Sequence, residues 1–275
     1  MELFYKEYGT SGAELIVLHG LLGSGRNWHA VCSSLAEKSR IIVPDMRNHG
    51  RSPHSSKHHI ADMVSDVLDL QNRHNMSKSF ILGHSMGGLV AMDFAFHVPN
   101  RTRGVIVVDI SPRQSRTRGV IVVDISPRPH RGAVAFVLDA MAALELSEMR
   151  SKNEIDEALA ISISNPLVRQ FVMTNVMSDG GHFKWRANVP VLKAFLLESQ
   201  AYEPAVGSVF EGPALFIHGG RSDYVRDEDF ELIRHHFPQA RIEKVTDVGH
   251  WVHHEAPDAI LSLVNAFIEG VEKQG

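Results

Sequence analysis

Ser85 stands in Gly83-His84-Ser85-Met86-Gly87, a G-x-S-x-G pattern with a further glycine at 88. The apolar run Phe80-Ile81-Leu82 leads into it and LVAMDF leads out. Glycine weakens strands and helices alike, so three within six residues need a reason. A strand-to-helix turn too tight for flanking side chains supplies one. On such a turn the serine hydroxyl projects above a sheet, and the helix N-terminus beyond it offers unpaired N–H groups and a positive dipole end. The chemistry this serves is attack on an acyl carbonyl, with the developing oxyanion held by backbone donors.

A serine hydroxyl needs a base. His250 lies in DVGHWVHHE (247–255), after the strand-like RIEKVTDV (241–248) and before a C-terminal helical pattern; His253 and His254 are its nearest competitors. The order Ser…Asp…His suits this turn. The histidine in turn needs a carboxylate to hold its tautomer. Asp223, in HGGRSDYV (218–225), is favoured, because its turn can aim the carboxylate. The alternative is Asp109 or Asp124, each ending a copy of VVDISP. For the oxyanion, the spacing predicts two donors: the N–H of Met86, directly after the serine, and the N–H of Leu21, in the loop after LIVLHG. His19 is expected to brace that loop. Cys32, within NWHAVCSSLAEK, reads as a packing residue.

The elements that must position these groups are legible as short apolar, β-branched runs: LIVLHG (15–20), RIIVPD (40–45), SFILGHS (79–85), VIVVDI (105–110) and ALFIHGG (214–220). They lack polar alternation, which predicts strands buried on both faces of a parallel sheet. Helical patterns at 61–74, 89–97, 229–237 and 258–271 lie between or after them. Alternating strand and helix predicts an α/β fold with right-handed crossovers. Residues 129–212 differ: no convincing strand, a strong helix former at 133–146, a capping-box pattern at Ser151–Glu154, and prolines placed for first helical turns in Asn165-Pro166 and Val189-Pro190. This predicts a helical cap inserted between two sheet strands, with 1–128 and 213–275 as the core; Phe136, Met141 and Leu144 could line an acyl pocket or simply pack the cap.

RTRGVIVVDISPR occurs twice without a mismatch, at 101–113 and 116–128. A sheet of this kind has one slot for the strand. Loops tolerate extra length cheaply, and that argument favours copy one in the sheet, with the surplus extending the entry to the cap.

Composition excludes several roles. Net charge is −4 and charged residues are 22% of 275, so neither nucleic acid nor an anionic membrane surface is an expected partner. No apolar run reaches 18 residues, and the N-terminus shows no signal-peptide pattern. A single cysteine precludes an internal disulfide and fits a cytoplasmic setting. The adjacent histidine pairs, among seventeen histidines, point in different directions and make poor chelators.

Taken together, HGLLGSGRNW, DMRNHGRSPH, GHSMGG, VDISP, HGGRSDYV and GHWVHHE resemble the α/β-hydrolase superfamily. The branch they most resemble is the small esterases that include bacterial YbfF-type enzymes and mitochondrial abhydrolase-domain-11 proteins. The resemblance covers about residues 13–270. It implies an eight-stranded, mostly parallel sheet, a helical lid, and serine ester or thioester hydrolysis of a small acyl substrate without cofactor or metal. It carries Ser85 and His250 over directly. It leaves the acid open, because some members of the branch use the aspartate of the VDISP segment. Lyase or carbon–carbon hydrolase chemistry on the same scaffold, or a non-catalytic binding role, are the alternative readings; HGLLGSGRNW is also similar to a menaquinone-pathway synthase that eliminates pyruvate. Epoxide hydrolases and dehalogenases carry aspartate at the elbow, where this chain has Ser85.

Overall fold

The computed structural model describes residues 1–112, 132–199 and 202–274. The second copy of the repeat, 116–128, and with it Asp124, lies outside the described residues. The chain runs β1 (Tyr5–Tyr8), β2 (Ala13–Leu18), α1 (His29–Leu35), β3 (Ser39–Pro44), α2 (Ile60–Arg73), β4 (Ser79–His84), α3 (Met86–His97), β5 (Thr102–Val108), α4 (Gly132–Ala143), α5 (Lys152–Ser162), α6 (Pro166–Met173), β6 (Val176–Asp179), β7 (His182–Trp185), α7 (Val189–Ser199), β8 (Ala214–Gly219), α8 (Phe230–His236), β9 (Ala240–Val245), α9 (Val252–Glu255) and α10 (Pro257–Glu272). Among the described residues the central sheet has seven strands rather than eight, in the order β1-β3-β2-β4-β5-β8-β9. β1 pairs antiparallel with β3, and every other pairing in this sheet is parallel. The fold is therefore the α/β-hydrolase fold, with a mostly parallel sheet flanked by helices.

The alternation of side chains along a strand explains the two core layers. Leu15 and Val17 of β2, with Phe80 and Leu82 of β4, pack toward α1 and α10. Ile16 and Leu18, with Ile81, pack on the opposite face toward α2 and α3. Every residue of β4 and of β8 is buried, as the unbroken apolar runs required. β1 carries Tyr5-Lys6-Glu7-Tyr8, with its central pair exposed, which is why it reads as no strand in the sequence. Copy one of the repeat fills the sheet slot between β4 and β8: Ile106 pairs with Leu82 and with Leu215.

The segment between β5 and β8 builds its own apolar cluster from α4, α5, α6 and α7. The sequence reading of no strand there is corrected. Val176–Asp179 and His182–Trp185 form an antiparallel hairpin around Gly180-Gly181, both at positive φ. Two caps hold as anticipated in kind. Ser151 Oγ accepts from Glu154 N at 3.1 Å, although the Glu154 carboxylate reaches back to Arg150 N rather than completing the box at Ser151. Asn165 Oδ1 accepts from Leu167 N at 2.9 Å, ahead of Pro166.

Candidate active site

Ser85 closes β4 and opens α3 with φ 51° and ψ −116°, a conformation costly for a side chain bearing a Cβ. The surrounding glycines are needed for steric reasons. A Cβ on Gly83 would lie 2.0 Å from Gly87 O, and one on Gly87 would lie 2.6 Å from Leu18 O. Met86 is the first residue of α3, so its N–H has no acceptor within its own helix. The loop after β2 passes directly over the serine: a Cβ at Gly20 would sit 3.3 Å from Ser85 Cβ.

That loop is held by imidazoles. His19 Nε2 accepts from Met46 N at 2.9 Å, which leaves Nδ1 protonated to donate to Gly20 O at 2.8 Å. Gly23 N donates to the same carbonyl at 3.0 Å. In a planar trans peptide the N–H points opposite to the C=O, so fixing Gly20 O aims the Leu21 N–H. His49 repeats the arrangement one residue on, its Nε2 accepting from Leu22 N at 3.1 Å and its Nδ1 donating to Arg47 O at 2.9 Å. Burial holds both imidazoles below their ordinary pKa, so each is neutral and keeps the tautomer these bonds require.

The segment DMRNHGRSPH supports this loop from beneath. Asp45 accepts from Gly25 N at 2.7 Å and from Arg51 N at 2.8 Å. Arg47 forms a bidentate pair with the fully buried Asp66, at 2.6 and 2.9 Å.

His250 lies against the elbow. His84, the residue before Ser85, donates from Nε2 to His250 O at 2.9 Å, and the two rings are 4.7 Å apart. Burial, followed by the neighbouring His253 and His250, drives the His84 pKa far down, so this ring is neutral. His250 Nδ1 donates to a carboxylate at 2.7 Å, and that carboxylate belongs to Asp109. The pairing expected with Asp223 is not found. Asp223 is about a third exposed (36%) and faces Arg226 at 3.9 Å. Two neighbours in its turn contact the dyad instead. Ser222 Oγ donates to Asp109 Oδ2 in a short bond, and the Tyr224 ring stacks on His250 at 4.0 Å with 20° between planes.

Asp109 follows the last residue of β5 with φ 53°, and its side chain is fully buried. Its Oδ1 accepts from Gly219 N at 2.9 Å, so both oxygens are engaged. The left-handed turn at the strand end swings the carboxylate across the end of β8 toward the histidine loop. Asp is among the residues that tolerate positive φ, a property Asp223 shares, so VVDIS alone did not distinguish the two. Leu22 (φ 60°), Asn48 (φ 65°), Ser85 and Asp109 are four of the six non-glycine residues at positive φ among the described residues, and all four lie around this site.

Of the competing groups, His253 is buried, stacks on Trp28 at 4.6 Å and is pushed down to a pKa of about 3, mainly by burial. His254 is exposed. Burial raises the Cys32 thiol to about 12, which leaves it inert as a nucleophile. Met141 is fully buried inside the 132–199 cluster, Leu144 packs against it, and Phe136 is half exposed. A serine on a strained turn, beside an imidazole oriented by a buried carboxylate and two backbone N–H groups, is equipped for acyl transfer.

Known proteins share this arrangement of sequence and fold. A family model described as the alpha/beta hydrolase fold matches residues 14–257. The chain is 34% identical over 260 residues to the mouse (Mus musculus) sn-1-specific diacylglycerol lipase ABHD11, covering 92% of this chain and 80% of that protein. It is 30% identical over 262 residues to esterase YbfF of Escherichia coli K12, covering 94% of each. A solved structure titled as a marine microorganism esterase superposes with a TM-score of 0.89 at 31% identity, covering 97% of this chain and 99% of that one. With a family model spanning most of its length and relatives of 30% identity or more over nearly all of it, the chain belongs to the α/β-hydrolase fold family.

Proposed function

We propose that this protein is a serine carboxylesterase that hydrolyses small acyl esters, with thioesters as a second substrate class, through an acyl-enzyme. The observation that carries the reading is the 2.7 Å bond from His250 Nδ1 to buried Asp109 beside a serine held at positive φ. With Nδ1 committed to Asp109, Nε2 is the nitrogen free to act as base. It takes the Ser85 proton as Oγ attacks the acyl carbonyl. The N–H groups of Met86 and Leu21 receive the oxyanion. His250 then protonates the leaving alcohol or thiol, and water activated by the same nitrogen releases the acid. Asp109, rather than Asp223, orients the base. The similarity to proteins named esterases and a lipase supports the reaction class. Residues 129–212 act in this reading as a helical cap over the site.

The test is turnover of p-nitrophenyl esters from C2 to C12 by the purified protein alongside Ser85→Ala. Hydrolysis that vanishes in the variant, together with fluorophosphonate labelling of wild type alone, is expected. A Ser85→Ala protein with full turnover overturns the scheme.

A further inference from the structure

The 132–199 segment contacts the core beside the proposed site. One turn of it, Phe171 to Asn175, touches the residues that follow two of the proposed catalytic groups. Asn175 Nδ2 donates to Leu22 O at 2.9 Å, across 153 residues of chain, and both residues are buried. Leu22 directly follows the proposed oxyanion donor Leu21. Four residues before Asn175, the Phe171 ring packs at 5.5 Å on Trp251, which directly follows His250. Asn175 is itself fixed: its N–H donates to Val172 O at 2.9 Å and its carbonyl accepts from Arg186 N at 2.7 Å.

Leu22 has unusual constraints for a loop residue. Its φ is 60°, a conformation that costs a non-glycine residue energy and persists only where the surroundings over-determine it. They do so here from both sides. His49 of the core holds its N–H, Asn175 of the insertion holds its C=O, and its side chain belongs to the insertion's apolar cluster rather than to either layer of the sheet. Removing the insertion-side hold leaves a buried carbonyl without a partner and a strained turn with one restraint fewer.

Resting on the esterase reading above, we infer that Asn175 is a positioning residue for the oxyanion hole. Docking of the inserted segment sets the geometry of the Leu21-Leu22 turn, so the oxyanion site is complete only while this segment is seated. Asn175 acts through Leu22 and makes no contact with substrate in this scheme.

The experiment compares wild type with Asn175→Ala on p-nitrophenyl acetate and octanoate, with inhibition by an alkyl trifluoromethyl ketone, whose serine adduct carries the same oxyanion. The expected result is a fall in kcat of about tenfold on both esters, the scale of one buried hydrogen bond, with KM held within about twofold. The inhibition constant should rise by the same factor as kcat/KM falls. Ser151→Ala is the control. Ser151 caps α5 of the same segment at an exposed position, accepting from Glu154 N at 3.1 Å. It should leave the ketone affinity unchanged. Should Asn175→Ala fail to fold, Asn175→Ser, whose hydroxyl is too short to reach, carries the same expectation. Three outcomes overturn the inference: unchanged kcat, a loss confined to KM on the long ester, or an equal loss of ketone affinity in Ser151→Ala. A wild type that neither turns over esters nor labels with fluorophosphonate would refute the esterase reading itself, a separate result.

Discussion

Three aspartates, Asp109, Asp124 and Asp223, follow strand-like runs between Ser85 and His250 as candidate partners of the histidine, and replacing each by asparagine separates them. Asp109 accepts from three groups: His250 Nδ1, Gly219 N and Ser222 Oγ. Asparagine keeps the volume and tolerates φ 53°, so the Asp109→Asn protein should fold. Its amide offers one acceptor and one donor where two acceptors stood. The Gly219 N–H is fixed in the backbone and keeps the oxygen, so the NH2 group turns toward His250. The imidazole then moves its proton from Nδ1 to Nε2, and Nε2 can no longer accept from Ser85. A wrong tautomer of this kind lowers kcat by about 10^4-fold, or about 5.4 kcal/mol of barrier. Asp223 is partly solvated and holds only a long ion pair, so Asp223→Asn should change kcat by less than about threefold. Copy one of the repeat fills the sheet, so Asp124→Asn should behave as wild type. The assay is steady-state hydrolysis of p-nitrophenyl butyrate, with melting curves to confirm folding. Asp109→Asn within tenfold of wild type, or Asp223→Asn crippled in its place, refutes this reasoning.

Stability should fall with acidity through the buried histidines. His58 and His253 are each pushed down to about 3, burial being the largest cause, while the unfolded side chains titrate near 6.5. A depressed base binds more protons when unfolded, so its contribution is complete above pH 6.5 and is lost as pH falls from there toward 3. The slope is about 1.4 kcal/mol per pH unit for each. Urea midpoints at pH 7.5, 6.0 and 5.0 should decline steadily, and a flat series would contradict the burial argument. Gly87→Ala places a Cβ 2.6 Å from Leu18 O and should destabilise by about 3 kcal/mol or leave the chain insoluble; a melting temperature equal to wild type would show that the elbow can relax. Arg47→Met leaves the fully buried carboxylate of Asp66 with the Met1 amino group, 2.5 Å away, in place of the bidentate guanidinium, and should lower stability by about 3 kcal/mol in chemical denaturation, whereas a neutral result would mean that the Met1 contact alone compensates the buried charge.

What the sequence determined by itself was whatever follows from local sterics and periodicity. Unbroken β-branched runs have no polar face, so LIVLHG, SFILGHS and ALFIHGG had to be interior strands, and they form β2, β4 and β8. Gly83, Ser85 and Gly87 could be read as a tight strand–helix turn because glycine without a competing local role leaves few explanations. The N-caps at Ser151 and Asn165 are likewise local chemistry. The β1 strand and the β6–β7 hairpin were hidden, because a half-exposed edge strand lacks the apolar run and a hairpin is stabilised by the pairing of its two halves. The carboxylate that serves His250 was beyond local reading for a stronger reason. Asp109 and Asp223 both end or follow strands at the same sheet edge, and both precede the histidine in the chain. Only the register of β5 beside β8, and the positive φ that turns Asp109 across the end of β8, bring one carboxylate to 2.7 Å and leave the other facing Arg226. The bond between Asn175 and Leu22 is of the same kind, since a hydrogen bond across 153 residues has no local pattern and exists only once two separately packed clusters meet.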